Sequence, residues 1–423
     1  ISPVTRFLNS VKSFIKEPLQ YRRQVILGNQ ACDADSMISS LCLAYLRDKY
    51  VAKVESLCYI PAAQIPRKDL VFRNEVKLLL ERIEVNLEDL ICTEDIDFSE
   101  LNAKEQLGIT LVDHNKLDGK FSVYSDVVTD ILDHHIDTNQ YDWVNNDLRN
   151  VAFDAVAGKA LVGSTCTLIA EKFVDALENE PEIATLLLGV IALDTINMDA
   201  AAGIGTPRDQ KMLQMLRQIS PYSQDDLFET LRGAKVDPAF WRTLTVAEVM
   251  RIDYKAFNSP TMKARGIKDI GIATAMQPLA DFVSKSSLRH TIEETIVAQD
   301  LSVLIVMSFV HQPSPKREML ICTKDRMLFE CLQGFLLDES KHNLQYRFLS
   351  DVHALVNDIF QERLCSIAPT IDATRTDASS TPSIPSSVEK SSNFTTTYCA
   401  AFSQENTKAS RKQVAPLLLE FFE

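Results

Sequence analysis

The sequence predicts an α/β protein: a parallel sheet with helices on both faces, followed by a smaller α/β domain. Three observations predict it. Apolar runs ending in Asp, Asn or His recur through the first half, at RQVILGN (23–29), GITLVDH (108–114) and TDILDHH (129–135). Segments with helical spacing follow them, and strands that alternate with helices favour parallel pairing covered on both sides. At 423 residues the chain exceeds one ordinary core, which implies two or three domains.

The elements follow in order. The opening ISPVTRFLNSVKSFIKEP reads as a short amphipathic helix without the continuous apolar block of a secretory signal. After the first strand, 35–50 carries Met37, Ile38, Leu41, Cys42, Tyr45 and Leu46 at helical spacing. The strands at 108–114 and 129–135 come next, then two mostly helical stretches, STCTLIAEKFVDAL (164–177) and EIATLLLGVIALDTINM (182–198). Strand patterning lapses over 217–236, which we read as a connector, in part helical, between a first domain over 1–216 and a second over 237–423. The second domain offers strands IKDIGIATAM (267–276), LSVLIVMSFV (301–310) and REMLICTK (317–324), and ends in a helix at SRKQVAPLLLEFF (410–422). Residues 366–397 are rich in Ser, Thr and Pro; too few bulky apolar groups remain to offset ordering entropy, so a mobile insertion is expected there.

Composition narrows the function. A hydrophobic share of 46% lets the chain bury real cores, yet its longest apolar runs, 184–193 and 301–310, reach about half of the roughly 18–20 residues needed to cross a bilayer. Nine cysteines form an odd set with no C-x-x-C pair, which argues against a disulfide framework or zinc knuckle and for reduced thiols. A net charge of −14 disfavours nucleic acid, whose phosphates call for a basic face. The expectation is a cytoplasmic protein without nucleic-acid or membrane partners. An anionic substrate would need local cations, either bound metal or a few placed Lys and Arg.

Acidic residues gather just beyond the expected strands. Asn29, Asp33 and Asp35 follow the first, Asp113-His114-Asn115 the second and Asp133-His134-His135 the third, while Asp194 ends the apolar run 183–193. Ligands of open α/β sheets collect at strand carboxyl ends, so these loops should converge. Taken singly, D-x-D before a helix reads as a capping pair and an Asp after a strand as a turn residue. Together they pose an electrostatic problem: clustered carboxylates repel, and their pKa values rise unless cations lie among them. Mg²⁺ and Mn²⁺ favour such oxygen donors, and imidazole tilts the choice toward Mn²⁺ or Co²⁺. Two such ions about 3.5–4 Å apart could generate hydroxide from a bridging water and hold a phosphoryl group for in-line attack.

In order, N-x-x-x-D-x-D-S (29–36), V-D-H-N (112–115), D-H-H (133–135) and Asp194 resemble the signature motifs of the DHH phosphoesterase superfamily. DYKAF (253–257) and SRKQVAP (410–416) resemble the phosphate-gripping pieces of its DHHA2 subfamily, which holds manganese-dependent inorganic pyrophosphatases, cytosolic exopolyphosphatases and prune proteins. The resemblance covers both domains except 366–397. It implies that Asp33 binds one metal, that Asp35, His134 and Asp194 bind another, and that Asp113 bridges the two. It turns His135 toward substrate phosphate or the leaving group, brings Lys255, Arg411 and Lys412 to phosphate oxygens, and puts the active site in the interdomain cleft. Read from the residues alone, Ser410 is an N-cap, and cations in the first turn after it oppose the helix dipole unless an anion binds there. Arg67 and Arg73, in IPRKDLVFR, echo an exopolyphosphatase element that would touch a longer chain.

One departure directs the substrate reading. Pyrophosphatases carry a metal-binding His where this chain has Asn29, a poorer ligand, whereas fungal-type exopolyphosphatases share the Asn. The expected activity is therefore removal of terminal phosphate from linear inorganic polyphosphate. Hydrolysis of pyrophosphate or another small phosphoanhydride or nucleotide, and a prune-like binding role with residual activity, are the alternatives.

Overall fold

The computed structural model describes residues 1–17, 22–51, 57–117, 119–310, 314–361 and 396–422. The insertion expected at 366–397 lies, as far as residue 395, outside the described residues. The chain divides into two compact units, Ile1–Trp241 and Arg242–Glu423.

In the first unit, β1 (Arg22–Leu27), β2 (Leu57–Ala62), β3 (Leu107–Val112), β4 (Val128–Asp133) and β5 (Arg149–Val151) form a parallel sheet in the order β2-β1-β3-β4-β5. β3 is buried at all six positions, as a central strand covered on both faces must be. The short strands β6 (Phe153–Asp154) and β7 (Lys159–Ala160) pair as a separate hairpin. The first unit's helices are α1 (Pro3–Lys16), α2 (Ala34–Tyr50), α3 (Asn74–Glu81), α4 (Phe98–Ala103), α5 (Thr165–Lys172), α6 (Val174–Leu177), α7 (Pro181–Asp194), α8 (Pro207–Ile219) and α9 (Gln224–Val236). α7 is apolar nearly all round because its neighbours enclose it: Ile183 to Leu193 are all buried. Part of the stretch read as a connector, 224–236, is α9, with Leu227, Phe228 and Leu231 buried in this unit.

The chain turns back on itself around β1, with β2 on one side and β3 on the other. That reversal of strand order opens a crevice at the carboxyl ends of β1 and β3, where α/β sheets hold their ligands. Asn29 and Asp113 stand at these two ends.

In the second unit, a mixed six-stranded sheet runs in the order β12-β13-β11-β10-β9-β8, built from β8 (Tyr254–Phe257), β9 (Asp269–Ala275), β10 (Leu301–Val310), β11 (Lys316–Thr323), β12 (Tyr346–Phe348) and β13 (Tyr398–Gln404). Only β9 and β10 pair in parallel. The chain crosses between units within α10 (Pro238–Thr243), and α11 (Val246–Ile252), α12 (Pro260–Ala264), α13 (Leu279–Val283), α14 (Leu288–Ala298), α15 (Arg326–Leu337), α16 (Ser350–Gln361) and α17 (Arg411–Phe422) follow. One face of this sheet builds a core from Ile305, Met319, Ile321, Ala400 and Phe402 with Val414 and Leu418 of α17. Of the two longest apolar runs, one is the enclosed α7 and the other is β10; no described helix is long and apolar enough to cross a membrane.

Candidate metal and phosphate site

The site begins where β1 meets α2. A Cβ on Gly28 would lie 2.9 Å from Ser36 Cβ and 3.0 Å from Ser36 O, so only glycine lets the strand end run this close to the helix. The next residue, Asn29, donates through its backbone N–H to Ser36 Oγ (3.0 Å). Its amide nitrogen donates to Asp113 Oδ2 (2.6 Å) and Asp113 O (3.1 Å), and its amide oxygen accepts from Cys32 N (3.1 Å). Both ends of the Asn29 amide are thus engaged. Asp33 caps α2, accepting from Ser36 N (3.2 Å), so it fills the capping role its spacing suggested.

Asp113 follows β3 with φ +62°, a left-handed turn that Asp tolerates better than most residues. Asn29 and the Ser36 hydroxyl (2.7 Å) both donate to its Oδ2. Oδ1 faces His134 Nε2 at 3.5 Å and His135 Nδ1 at 3.6 Å. One oxygen is held by protein donors while the other looks toward the imidazoles.

Asp35, in the first turn of α2, is buried against the N-terminus of α5. Its Oδ1 accepts from Ser164 Oγ (2.7 Å), Cys166 N (3.1 Å) and Ser39 Oγ (3.3 Å), and its Oδ2 from Thr165 N (2.8 Å). These donors and the helix dipole favour an anion, yet burial, followed by the charge of Asp113, pushes the carboxyl up to about 6. The α5 terminus is itself fixed by buried Asp209, which accepts from Gly163 N (2.8 Å) and Thr167 Oγ1 (2.6 Å).

Each histidine has one ring nitrogen settled by its partner. His134 Nδ1 lies 3.0 Å from Val162 O, and a carbonyl can only accept, so a proton sits there and Nε2 faces Asp35 Oδ2 (3.8 Å) and Asp113 Oδ1. His135 Nδ1 lies 2.8 Å from Asp133 Oδ1. Asp133 is fully buried and also accepts from His134 N (2.8 Å) and Asn115 Nδ2 (2.5 Å). Burial alone would raise its pKa, but the charge and hydrogen bond of His135 outweigh burial and hold it below the ordinary value.

Asp194, at the end of α7, has Oδ2 buried with no hydrogen-bond partner among the described residues. Burial, and next the charge of Asp35, drive its pKa well above the ordinary value; the charge of Lys235 works against them, and Asp33 and Asp113 add to the rise. Even with Lys235 offsetting part of the repulsion, a buried orphan oxygen beside several like charges is costly unless a further cation joins it. Asp113, His134 and His135 also present ligand atoms within 4.8 Å of one another. The donor set, oxygen with imidazole nitrogen, fits divalent metal.

The other singled-out residues lie elsewhere in the chain. Arg67 binds Asp95 and the carbonyls of Glu88 (3.0 Å) and Leu90 (3.1 Å), and Arg73 reaches Ala31 O, inside the loop between Asn29 and Asp33. In the second unit, Lys255 is half-buried on β8. Ser410 stands before α17, where Gln413 Oε1 accepts from its backbone N (2.8 Å) and hydroxyl (3.0 Å). Arg411 is held by Asp253, with Nη2 2.5 Å from Oδ1 and Nη1 2.8 Å from the carbonyl, whereas Lys412 is exposed. Sequence reasoning quoted Ser36, Asn115 and Asp133 in its motifs without giving them a role, and it passed over Asp209. The first three sit inside or beside the motifs; Asp209 carried no signal of its own.

Comparison with known proteins bears on the family of the chain. Residues 23–193 match the DHH family N-terminal domain, and residues 239–421 match the DHHA2 domain. Exopolyphosphatase PRUNE1 of Homo sapiens is 30% identical over 308 residues, 70% of this chain and 62% of that protein, so the match spans less than two thirds of the relative's length. A candidate exopolyphosphatase of Schizosaccharomyces pombe is 28% identical over 229 residues, 50% of this chain and 54% of that one. A crystal structure of a candidate family II inorganic pyrophosphatase from Methanococcus jannaschii shares the fold at a TM-score of 0.51 and 21% identity, covering 73% of this chain and 90% of that chain. With its four motifs in order on one α/β unit and both domains matched, the chain belongs to the DHH phosphoesterase family, in the branch that carries a DHHA2 domain.

Proposed function

We propose that this chain is a metal-dependent phosphoanhydride hydrolase, an exopolyphosphatase that releases terminal orthophosphate from linear inorganic polyphosphate. The observation that carries the reading is the buried meeting of Asp35, Asp113 and His134, beside an Asp194 whose Oδ2 has no hydrogen-bond partner among the described residues. Such a group favours cations over an empty pocket. The names borne by its relatives support the same chemistry.

Asp35 Oδ2, Asp113 Oδ1, His134 Nε2 and Asp194 would hold one divalent ion, and Asp33 with Asp113 a second; Mn²⁺ or Mg²⁺ suits them, and Co²⁺ also fits the imidazole. Asn29, engaged at both ends of its amide, would orient Asp113 in this arrangement. Bound ions would supply polarisation of phosphoryl oxygen and activation of water. Asp133 keeps the His135 ring in place, and with Nδ1 engaged, Nε2 is the nitrogen that would meet substrate phosphate and hand a proton to the leaving oxygen. Lys255, Ser410, Arg411 and Lys412 would bind phosphate oxygens and offset charge in phosphoryl transfer, and Arg67 would meet a longer chain. Arg411 would first have to exchange Asp253 for phosphate.

The test is phosphate release by the purified chain from polyphosphate and from pyrophosphate, each with Mg²⁺, Mn²⁺ and Co²⁺. Polyphosphate should be preferred, and Asp113→Ala should lose activity by at least about two orders of magnitude, the upper range for disturbing a metal's surroundings. Preference for pyrophosphate would move the assignment to that substrate. Full activity of Asp113→Ala at saturating metal would reject the hydrolase reading.

A further inference from the structure

Cys322 on β11 and Cys399 on β13 are direct partners across antiparallel strands. Their sulfurs lie 2.8 Å apart, both side chains are buried, and both are free thiols. Opposed residues in such a pair have Cα atoms about 4.5–5.5 Å apart, inside the roughly 4.4–6.8 Å window of a disulfide. The strand neighbours Ile321 and Ala400 point into the core shared with α17, so the two cysteines share the other face of the sheet. Closing the bond therefore needs no slip of register and no movement of one strand past the other.

We propose that Cys322 and Cys399 are an oxidative modification site, forming a cross-strand disulfide with a glutathione-type disulfide as oxidant. In the first step one Cys thiolate attacks the oxidant's S–S bond, giving a mixed disulfide and one glutathione thiol. The second Cys thiolate then displaces the other glutathione. The two protein thiols lose two electrons and two protons in all, and one oxidised glutathione becomes two reduced ones. The closed bond ties β11 to β13 and encircles the sequence between them, including 362–395. Burial, then the hydrogen bond to Cys322, keeps the Cys399 thiol protonated far above its ordinary range. Attack requires thiolate, so the reaction waits on opening of the strand end and is slow.

The full chain is equilibrated in glutathione buffers from reducing to oxidising, with and without a sub-denaturing urea concentration that speeds opening. It is then acid-quenched, alkylated after unfolding and mapped by mass spectrometry. Exposed Cys331 reports the reach of the oxidant as a mixed disulfide. The expected result is a Cys322–Cys399 crosslinked peptide, lighter by two hydrogens, that forms faster in urea, raises the Tm and disappears in Cys322→Ser and in Cys399→Ser. Should both cysteines be recovered as alkylated thiols in the urea arm where Cys331 is fully glutathionylated, the proposal is overturned.

Discussion

Asp133 shows how a single side chain can matter without touching substrate. It orients His135 and fixes the turn into His134, so Asp133→Asn keeps the shape while removing the charge that steadies the imidazole. Metal affinity or activity should fall by about 10–100-fold, with calorimetric Mn²⁺ titration as the check and an unchanged affinity as the adverse result. The sequence places the residue in D-H-H but not its role, because the last position of a buried strand looks like any turn aspartate; its value comes from three donors converging in space. The motif carboxylates as a set were legible because an excess of acid after apolar runs has few structural uses. A different balance governs Asp35, whose folded-state pKa of about 6 exceeds the ordinary 3.8. A raised carboxyl pKa contributes stability below the unfolded value that is lost as pH rises through the folded one. Metal-free protein should therefore lose stability between roughly pH 4 and 6 from this group, with Asp194 acting in the same direction. Urea unfolding in chelator at several pH values would show it.

The beginning of α2 joins two duties that sequence could not separate, capping and ligation. Asp33→Asn retains an oxygen for Ser36 N and so should leave metal-free stability nearly intact while weakening metal binding; Asp33→Ala should in addition cost about 1 kcal/mol by losing the cap. If both variants bind Mn²⁺ like the parent, Asp33 is a cap alone. Gly28→Ala drives a Cβ against Ser36 backbone and should destabilise by about 1–3 kcal/mol, read from urea midpoints. Elements with long apolar runs, β1, β3, β4, β10 and β11, were visible in the sequence. β2 (LCYIPA) and β12 (YRF) were not, being short or interrupted by Pro61, and their place comes from pairing with neighbours. β13 follows the Ser- and Thr-rich stretch, which masked its apolar core of Ala400, Ala401 and Phe402.

At the scale of the whole molecule, the crowded carboxylates link metal to folding. Ions that bind only the folded chain raise its stability by mass action, and they must displace protons from Asp35 and Asp194 to do so. The Tm increment on adding saturating Mn²⁺ should therefore be larger at pH 7.5 than at pH 5; an equal increment would mean that these groups do not receive the ion. The first unit's all-parallel sheet has a further consequence, because its strand-end candidates, Asn29, Asp113 and His134, leave from the same rim. At the opposite rim Lys104, Glu105 and Gln106 turn into β3, and Glu105 is exposed there in a left-handed conformation. A fluorophore or affinity handle attached at Glu105 would sit a full strand length from Asp113, offering a way to watch or tether the molecule while its chemistry proceeds undisturbed.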